Sequence, residues 1–304
     1  MSLAVARPTV KRLALGYLEL TKPRITFLVI LTGVPALLLA ARGFPPPALF
    51  WGTLLGTALA AASASSFNHY CDRDLDALMR RTAGRPLPSG LLPPAHALGL
   101  GFLLAGLSWA VLAASANLLA AALGMISILY YAVVYTVWLK RRTPQNIVIG
   151  GGAGAAAPLI AWAAVTGSLD LPAVLMAAIV FLWTPPHFWA LALYRHEDYA
   201  HAGIPMLPVT HGGPETRRQI LLYTLALVPA SLALAAVGVS GPVYWIPAAL
   251  LGGAFILQAA RLHRSASIAH AIQLFRFSIL YLFCLFVLLT LDAVVRIAGR
   301  GAGP

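Results

Sequence analysis

The sequence predicts an all-α, polytopic integral membrane protein with nine transmembrane helices, and three observations predict it. Of 304 residues, 60% are hydrophobic and only 10% charged, whereas a water-soluble domain carries about a quarter charged residues. Mean hydropathy is +0.83. The uncharged runs divide into lengths close to the roughly 20 apolar residues that a spanning helix needs. One transmembrane domain over residues 1–304 accounts for the chain, with residues 1–22 as an N-terminal tail.

The first span is expected from about Ile25 to Ala41 and the second from about Pro47 to Phe67. Arg42 and the turn residues Gly43-Phe44-Pro45-Pro46 separate them. The uncharged run from Pro86 to Leu139 is too long for one span, and Ser115-Ala116-Asn117 divides it into spans three and four. Span five (about Gln145 to Val165) and span six (about Leu171 to Tyr194) flank the turn Thr166-Gly167-Ser168-Leu169-Asp170. Spans seven and eight share the run from Gln219 to Ala260, broken at Gly238 to Pro242, and span nine covers about Ile272 to Val295.

With the N-terminus cytoplasmic, only Arg42, Arg296 and Arg300 of the 21 Lys and Arg residues lie outside. That bias orients the spans by the positive-inside rule. The formal net charge of +12 therefore reads as membrane topology, in the cell inner (cytoplasmic) membrane, and no nucleic acid is expected as partner. Met1 to Thr21 lacks the apolar stretch and small-residue cleavage site of a signal peptide and reads as a retained cytoplasmic tail. Cys71 and Cys284, far apart in apolar segments, are given no role.

Three of the nine acidic residues fall within five positions after span two, at Asp72, Asp74 and Asp76. Asn68, Asp72 and Asp76 are spaced i, i+4, i+8 and share one helix face, while Asp74 points away. They lie at a helix C-terminus, where the macrodipole disfavours negative charge, so cations are expected beside them. A solvated acidic patch is the simpler reading, but acids are too scarce here for it. Carboxylate and amide oxygens suit Mg²⁺, which takes one or two carboxylates plus substrate phosphates. Arg80, Arg81 and Arg85 would then hold diphosphate oxygens. Lys140-Arg141-Arg142 is either a positive-inside anchor or a further diphosphate contact.

A second constellation, Tyr194-Arg195-His196-Glu197-Asp198-Tyr199, follows span six. Tyr194 and Asp198 are expected on one helix face, as Asn68 and Asp72 are. Asn68, Asp72, Asp76 and Asp198 are the candidate metal ligands and, with Tyr194, the candidate catalytic residues. Pro86-Leu87-Pro88 and Met206-Leu207-Pro208 follow the two motifs and suggest a weak internal repeat. Within span six, Trp183-Thr184-Pro185-Pro186-His187-Phe188-Trp189 places an ionisable group in an apolar segment, next to a double proline expected to break the helix. Inside a membrane such a group is functional by default. His187 with Trp183 would receive a flat aromatic acceptor or a haem iron. His69 and His201 are neighbours of the acidic motifs, and His69 joins the candidate acceptor residues. His96, His263 and His270 read as structural or interfacial.

The Asn68-x-x-x-Asp72-x-x-x-Asp76 stretch resembles the first signature of the intramembrane aromatic prenyltransferase superfamily. Asp72 to Leu87, Lys140 to Gly152, Phe181 to Ala192, Asp198 to Pro208 and Leu274 to Leu282 resemble its protohaem IX farnesyltransferase (haem O synthase) branch, in order across almost the whole chain. The resemblance implies nine helices around a central cavity open toward the cytoplasmic side, Mg²⁺ as cofactor, and farnesyl diphosphate and haem B as substrates. A haem O-modifying enzyme or terminal oxidase assembly machinery would be partners, along with the lipid bilayer. Tyr194 departs from the superfamily pattern, in which many relatives place an aspartate, and this leaves the number of metal ions open. The readings set against it are a prenyltransferase for a quinone precursor, a transporter and a non-catalytic haem-binding membrane protein. A transporter would place its polar sites near the bilayer midplane, and haem binding alone leaves the acidic triplet unexplained.

Overall fold

The computed structural model describes residues 9–301, with side chains to residue 299. Arg7, the rest of the first eight residues and the Arg300 side chain lie outside the described residues. From Thr9 onward the expected tail is a folded helix, α1 (Val10–Leu20), whose N-cap Thr9 side chain accepts from the Arg12 N–H at 3.3 Å. Leu20 packs with Leu87, Leu92 and Ala97, and the Ser65 hydroxyl donates to the Leu20 carbonyl. The Tyr17 hydroxyl hydrogen-bonds His96 Nδ1 at 2.7 Å. An amphipathic segment with such partners docks rather than trails.

Among the described residues, nine helices are long and apolar enough to cross a membrane. They are α2 (Pro23–Ala41), α3 (Pro47–Leu78), α4 (Pro94–Ser115), α5 (Leu118–Leu129) continued by a π-helical stretch to Leu139, the pair α6 (Asn146–Gly154) and α7 (Ala156–Thr166), α8 (Leu171–Tyr194), α11 (Gly212–Ala236), α12 (Pro242–Ser265) and α13 (Ile268–Gly301). Short α9 (His196–His201) and α10 (Leu207–Thr210) follow α8. Large apolar side chains such as Trp51, Phe102 and Leu250 are left exposed, as a lipid-facing surface requires. The expected breaks hold: α4 ends at Ser115, and the Asn117 side chain caps α5 by accepting from the Ala120 N–H at 2.9 Å. Each span packs against the next in chain order, and α13 closes the ring on α2. α2 also meets α7, and α8 also meets α13.

One expectation about helix ends is met and one is corrected. The acidic motif lies at the C-terminus of its helix as expected, since α3 continues past the span end at Phe67 and runs 32 residues to Leu78, roughly 48 Å against a hydrocarbon core of about 30 Å. The acidic motif is thus the helix's own extension past the bilayer. The double proline does not break span six, because α8 continues through Pro185 and Pro186 to Tyr194. Neighbouring helices support such a segment in a bundle, where the carbonyls freed by the missing proline N–H groups are those of Phe181 and Leu182. The chain breaks instead at Arg195, with φ −110° and ψ 23°.

Close approach at α6 sets the position of the π-helical stretch. A Cβ added at Gly150 would lie 2.2 Å from Tyr135 Cδ2, and one at Gly151 would lie 3.0 Å from Thr184 Cβ. α6 is therefore wedged between the π-helical stretch and α8. Gly150→Ala is expected to displace Tyr135 and destabilise the protein by about 1–3 kcal/mol, read as a lower melting temperature in detergent. Gly99→Ala, at a helical site with open space around it, is the control and is expected to leave that temperature unchanged or raise it.

Candidate active site

The face predicted from the i, i+4, i+8 spacing is the buried one. Asn68, Asp72 and Asp76 are 3%, 0% and 1% exposed, while the Asp74 side chain is 60% exposed. Each buried group meets a cation from a different segment. Lys140, just past the π-helical stretch, pairs with Asp72 Oδ2. Arg85 donates to both oxygens of Asp76, at 2.8 and 2.7 Å. Lys22, at the joint between α1 and α2, donates to Asn68 Oδ1 at 2.8 Å. Asn68 Nδ2 in turn donates to Asp72 Oδ2 at 2.6 Å and to Thr136 Oγ1 at 3.2 Å.

Local structure delivers each cation. The chain after α3 folds into successive turns, with Thr82 Oγ1 donating to the Asp76 carbonyl at 2.9 Å and Arg85 N–H to the Thr82 carbonyl at 3.0 Å. Arg85 is thereby folded back over Asp76. In the π-helical stretch hydrogen bonds run i to i+5, as from Lys140 N–H to the Tyr135 carbonyl at 2.9 Å. The wider turn brings Thr136 and Lys140 onto the face toward α3. Lys22 adopts left-handed backbone, φ 46°, which turns the chain sharply from α1 into α2. Burial, with Arg85 and Lys140 nearby, lowers the Lys22 pKa to about 7, against the opposing pull of Asp72 and Asp76.

The other expected diphosphate contacts divide. Arg141 forms a two-pronged ion pair with exposed Asp74, at 2.7 Å for each contact, and donates to the Cys71 carbonyl at 2.8 Å. That pairing raises its pKa and holds it on the opposite face of α3. Arg80, Arg81 and Arg142 are exposed and make no ion pair among the described residues. Only Arg85 and Lys140 of the six converge on the carboxylates, because the α3 face, and not closeness in sequence, selects which bases reach them.

The second motif is not a copy of the first. Since α8 ends at Tyr194 and α9 starts at His196, Tyr194 and Asp198 do not share one helix face. Asp198 pairs with Arg195 at 3.8 Å. Tyr194 meets the Phe275 ring edge-on at 5.8 Å and so joins the aromatic cluster of α8. Among the described residues no three or more His, Cys, Asp and Glu side chains group closely enough to hold a metal by themselves, so the expected four-residue ligand set is not assembled. Asn68, Asp72 and Asp76 still fit Mg²⁺: all offer oxygen, and Asp72 Oδ1 is buried without a hydrogen-bond partner. Mg²⁺ needs no protein cage when substrate phosphates complete its shell.

In α8, His187 is held between the Trp183 ring, 4.3 Å and 18° away, and the Phe275 ring, 4.7 Å and 25° away. Both imidazole faces are covered, so a flat acceptor cannot stack there. Ser278 of α13 donates its hydroxyl proton to the Phe275 carbonyl at 2.7 Å. Its Oγ also lies 2.7 Å from His187 Nδ1. With the Ser278 proton on the Phe275 carbonyl, Nδ1–H donates to Ser278 and the lone pair is on Nε2, a nitrogen suited to a metal or a proton. Trp183 Nε1 donates to the Ser278 carbonyl at 2.7 Å. Trp189 turns away to Tyr223. His69 is separated from this cluster, since it sits on α3, which packs on α2, α4, α5 and α7 and not extensively on α8. It is 1% exposed and neither ring nitrogen has a partner. Sequence reasoning missed Lys22, Thr136 and Ser278 as members of these clusters.

Comparison with known proteins bears on the family and the fold. Residues 27–287 match the UbiA prenyltransferase family. A protoheme IX farnesyltransferase from Azorhizobium caulinodans is 49% identical over 284 residues, covering 92% of each chain. One from Roseiflexus sp. (strain RS-1) is 48% identical over 92% of this chain but 52% of its own length, so the chain spans about half of that relative. Among solved structures, a digeranylgeranylglyceryl phosphate synthase superimposes with TM-score 0.78 at 18% identity, covering 93% of this chain and 99% of that one. A UbiA homologue from Archaeoglobus fulgidus bound to DMAPP and Mg²⁺ gives TM-score 0.59 at 17% identity, covering 89% and 99%. On the buried acidic face of α3, the nine-helix ring and these matches, the chain belongs to the UbiA prenyltransferase family.

Proposed function

We propose that this chain transfers the farnesyl group of farnesyl diphosphate to a vinyl group of protohaem IX (haem B), giving haem O and diphosphate. The observation that carries the reading is the set of two buried carboxylates and a buried amide, each matched by a cation, on the extension of α3. The names of the relatives support the acceptor, and the ligands of the A. fulgidus homologue support a prenyl diphosphate with Mg²⁺. We place the protein in the inner membrane with its N-terminus cytoplasmic and the central cavity opening on that side.

Asn68, Asp72 and Asp76 would hold Mg²⁺, which supplies positive charge that stabilises the departing diphosphate. Lys22, Arg85 and Lys140 bind diphosphate oxygens and exclude water from them. The allylic carbon–oxygen bond breaks with its electron pair leaving on diphosphate. The π pair of a haem vinyl group then attacks the allylic carbon, forming the new carbon–carbon bond. Water adds to the resulting porphyrin-stabilised cation and loses one proton, which we assign to Asp198 at the aqueous rim. His187 Nε2 holds the haem iron, with Tyr194 at the edge of the same aromatic cluster. Haem O then passes to a haem O-modifying enzyme or to oxidase assembly machinery.

Mass spectrometry of haems extracted after incubating purified protein with haem B, farnesyl diphosphate and Mg²⁺ is expected to show hydroxyethylfarnesyl haem, abolished by EDTA. Haem retained without any adduct would redirect the reading to another acceptor, such as a quinone precursor. In the same assay Asp72→Asn and Asp76→Asn are each expected to lower turnover about 10²-fold or more. Asp74→Asn is expected to change it only a few-fold, because an exposed ion pair contributes about 0–1 kcal/mol. Equal losses at all three positions would overturn the one-face argument. His187→Ala is expected to abolish the haem absorption shift on binding. Ser278→Ala frees the tautomer and is expected to weaken that shift without abolishing it.

A further inference from the structure

A cleft of 430 Å³ opens between α12 and α13, on the face of α13 turned away from the site. At 100° per residue, Gln273, Arg276, Phe277 and Leu280 fall on one side of α13, while Phe275 and Ser278, which meet α8, fall on the other. Gln258 and Arg261 of α12 and His270 at the start of α13, whose Nδ1 lies 2.6 Å from Ser265 Oγ, complete its lining. Arg261 and Arg276 are exposed and make no ion pair among the described residues. No acid is within reach along these helices either: neither α12 nor residues 268–291 contain Asp or Glu. The lining is also graded. Arg261 and Gln273 lie toward the α12–α13 turn, Arg276 and Phe277 lie at nearly one level, and Leu280 lies deepest, roughly 18 Å along α13 from Ile268. Arginines merely anchoring a helix end do not need a shared cleft with an apolar floor.

We propose that this cleft is a site for one anionic phospholipid of the cytoplasmic leaflet. Its phosphate sits between Arg261 and Arg276, with Gln258 and Gln273 donating to phosphate or glycerol oxygens, and an acyl chain lies along Phe277 and Leu280. Two guanidiniums from antiparallel helices with no protein counter-charge recognise a phosphate by paired hydrogen bonds, and basic pockets between spanning helices at this face take anionic headgroups.

The test places the full-length protein in nanodiscs of equal phosphatidylglycerol and phosphatidylcholine, followed by detergent release and native mass spectrometry of retained lipid. Phosphatidylglycerol is expected to be enriched over phosphatidylcholine, by roughly five-fold per arginine. Arg261→Gln with Arg276→Gln is expected to return retention to the bulk ratio, and Arg→Lys at both to keep most of it. Each single Gln variant gives a partial loss and serves if the double variant does not fold. Enrichment unchanged in the Gln variants, or no enrichment in the wild type, would overturn the site. Loss of bound lipid to millimolar inorganic phosphate would overturn the lipid in favour of a free phosphate ligand.

Discussion

Two carboxylates buried at the end of one helix impose the constraint on which the rest of this structure depends. A buried charge left unpaired costs several kcal/mol, and Asp72 and Asp76 are essentially inaccessible. Their cations cannot come from α3, whose only Lys or Arg, Arg73, is turned to solvent and lies over the Tyr70 ring. They come from 68 and 9 positions away, and the cation on Asn68 from 46 positions away. Satisfying them draws the α1–α2 joint, the turns after α3 and the end of the π-helical stretch to one place. The backbone departures found there, left-handed Lys22 and the widened π-helical turns, are the means by which three unrelated segments reach one helix face.

What was legible in the sequence follows from the range of the interactions involved. Span lengths and the sorting of Asp72 and Asp76 inward from Asp74 outward depend on hydropathy and helical period, which are local. Arg141 beside Asp74 and Lys140 beside Asp72 could not be told apart in the sequence, because which neighbour turns inward depends on the π-helical register of the preceding stretch. Lys22 carried no signal and Ser278 only its place in the Leu274 to Leu282 stretch, since each acquires its partner only through packing of distant segments. The double proline misled for a related reason: its effect on an isolated helix is local, but α7, α11 and α13 pack around α8 and keep it continuous.

The two clusters are separate in packing and complementary in chemistry. The α3 cluster gathers charge at a helix end beyond the hydrocarbon, where a diphosphate arriving from water can be met without crossing the bilayer. The α8 cluster is aromatic, with one imidazole nitrogen left available and its faces closed by Trp183 and Phe275. A transporter would need polar groups continuing through the midplane. Here polarity falls off along α8, whose residues between Leu171 and Leu182 carry no ionisable group.

The depth of His187 then bears on how prenyl transfer works. It lies seven residues before the end of α8 at Tyr194, about 10 Å beneath that end. α3 and α8 are both even-numbered spans, so their C-terminal ends reach the same side. The reacting carbon of an allylic diphosphate is the one attached to its charged head, so reaction is confined to the neighbourhood of that head, whatever the depth of the remaining chain. On the proposed function, an acceptor held by its centre at His187, two helical turns before the end of α8, would present its edge toward the carbon being released. The apolar tail has only to follow the hydrocarbon interior. On the proposed function, the burial of charge at the end of α3 and the position of a single histidine in α8 would place donor and acceptor by the same physical rule, the exclusion of ionic groups from the membrane interior.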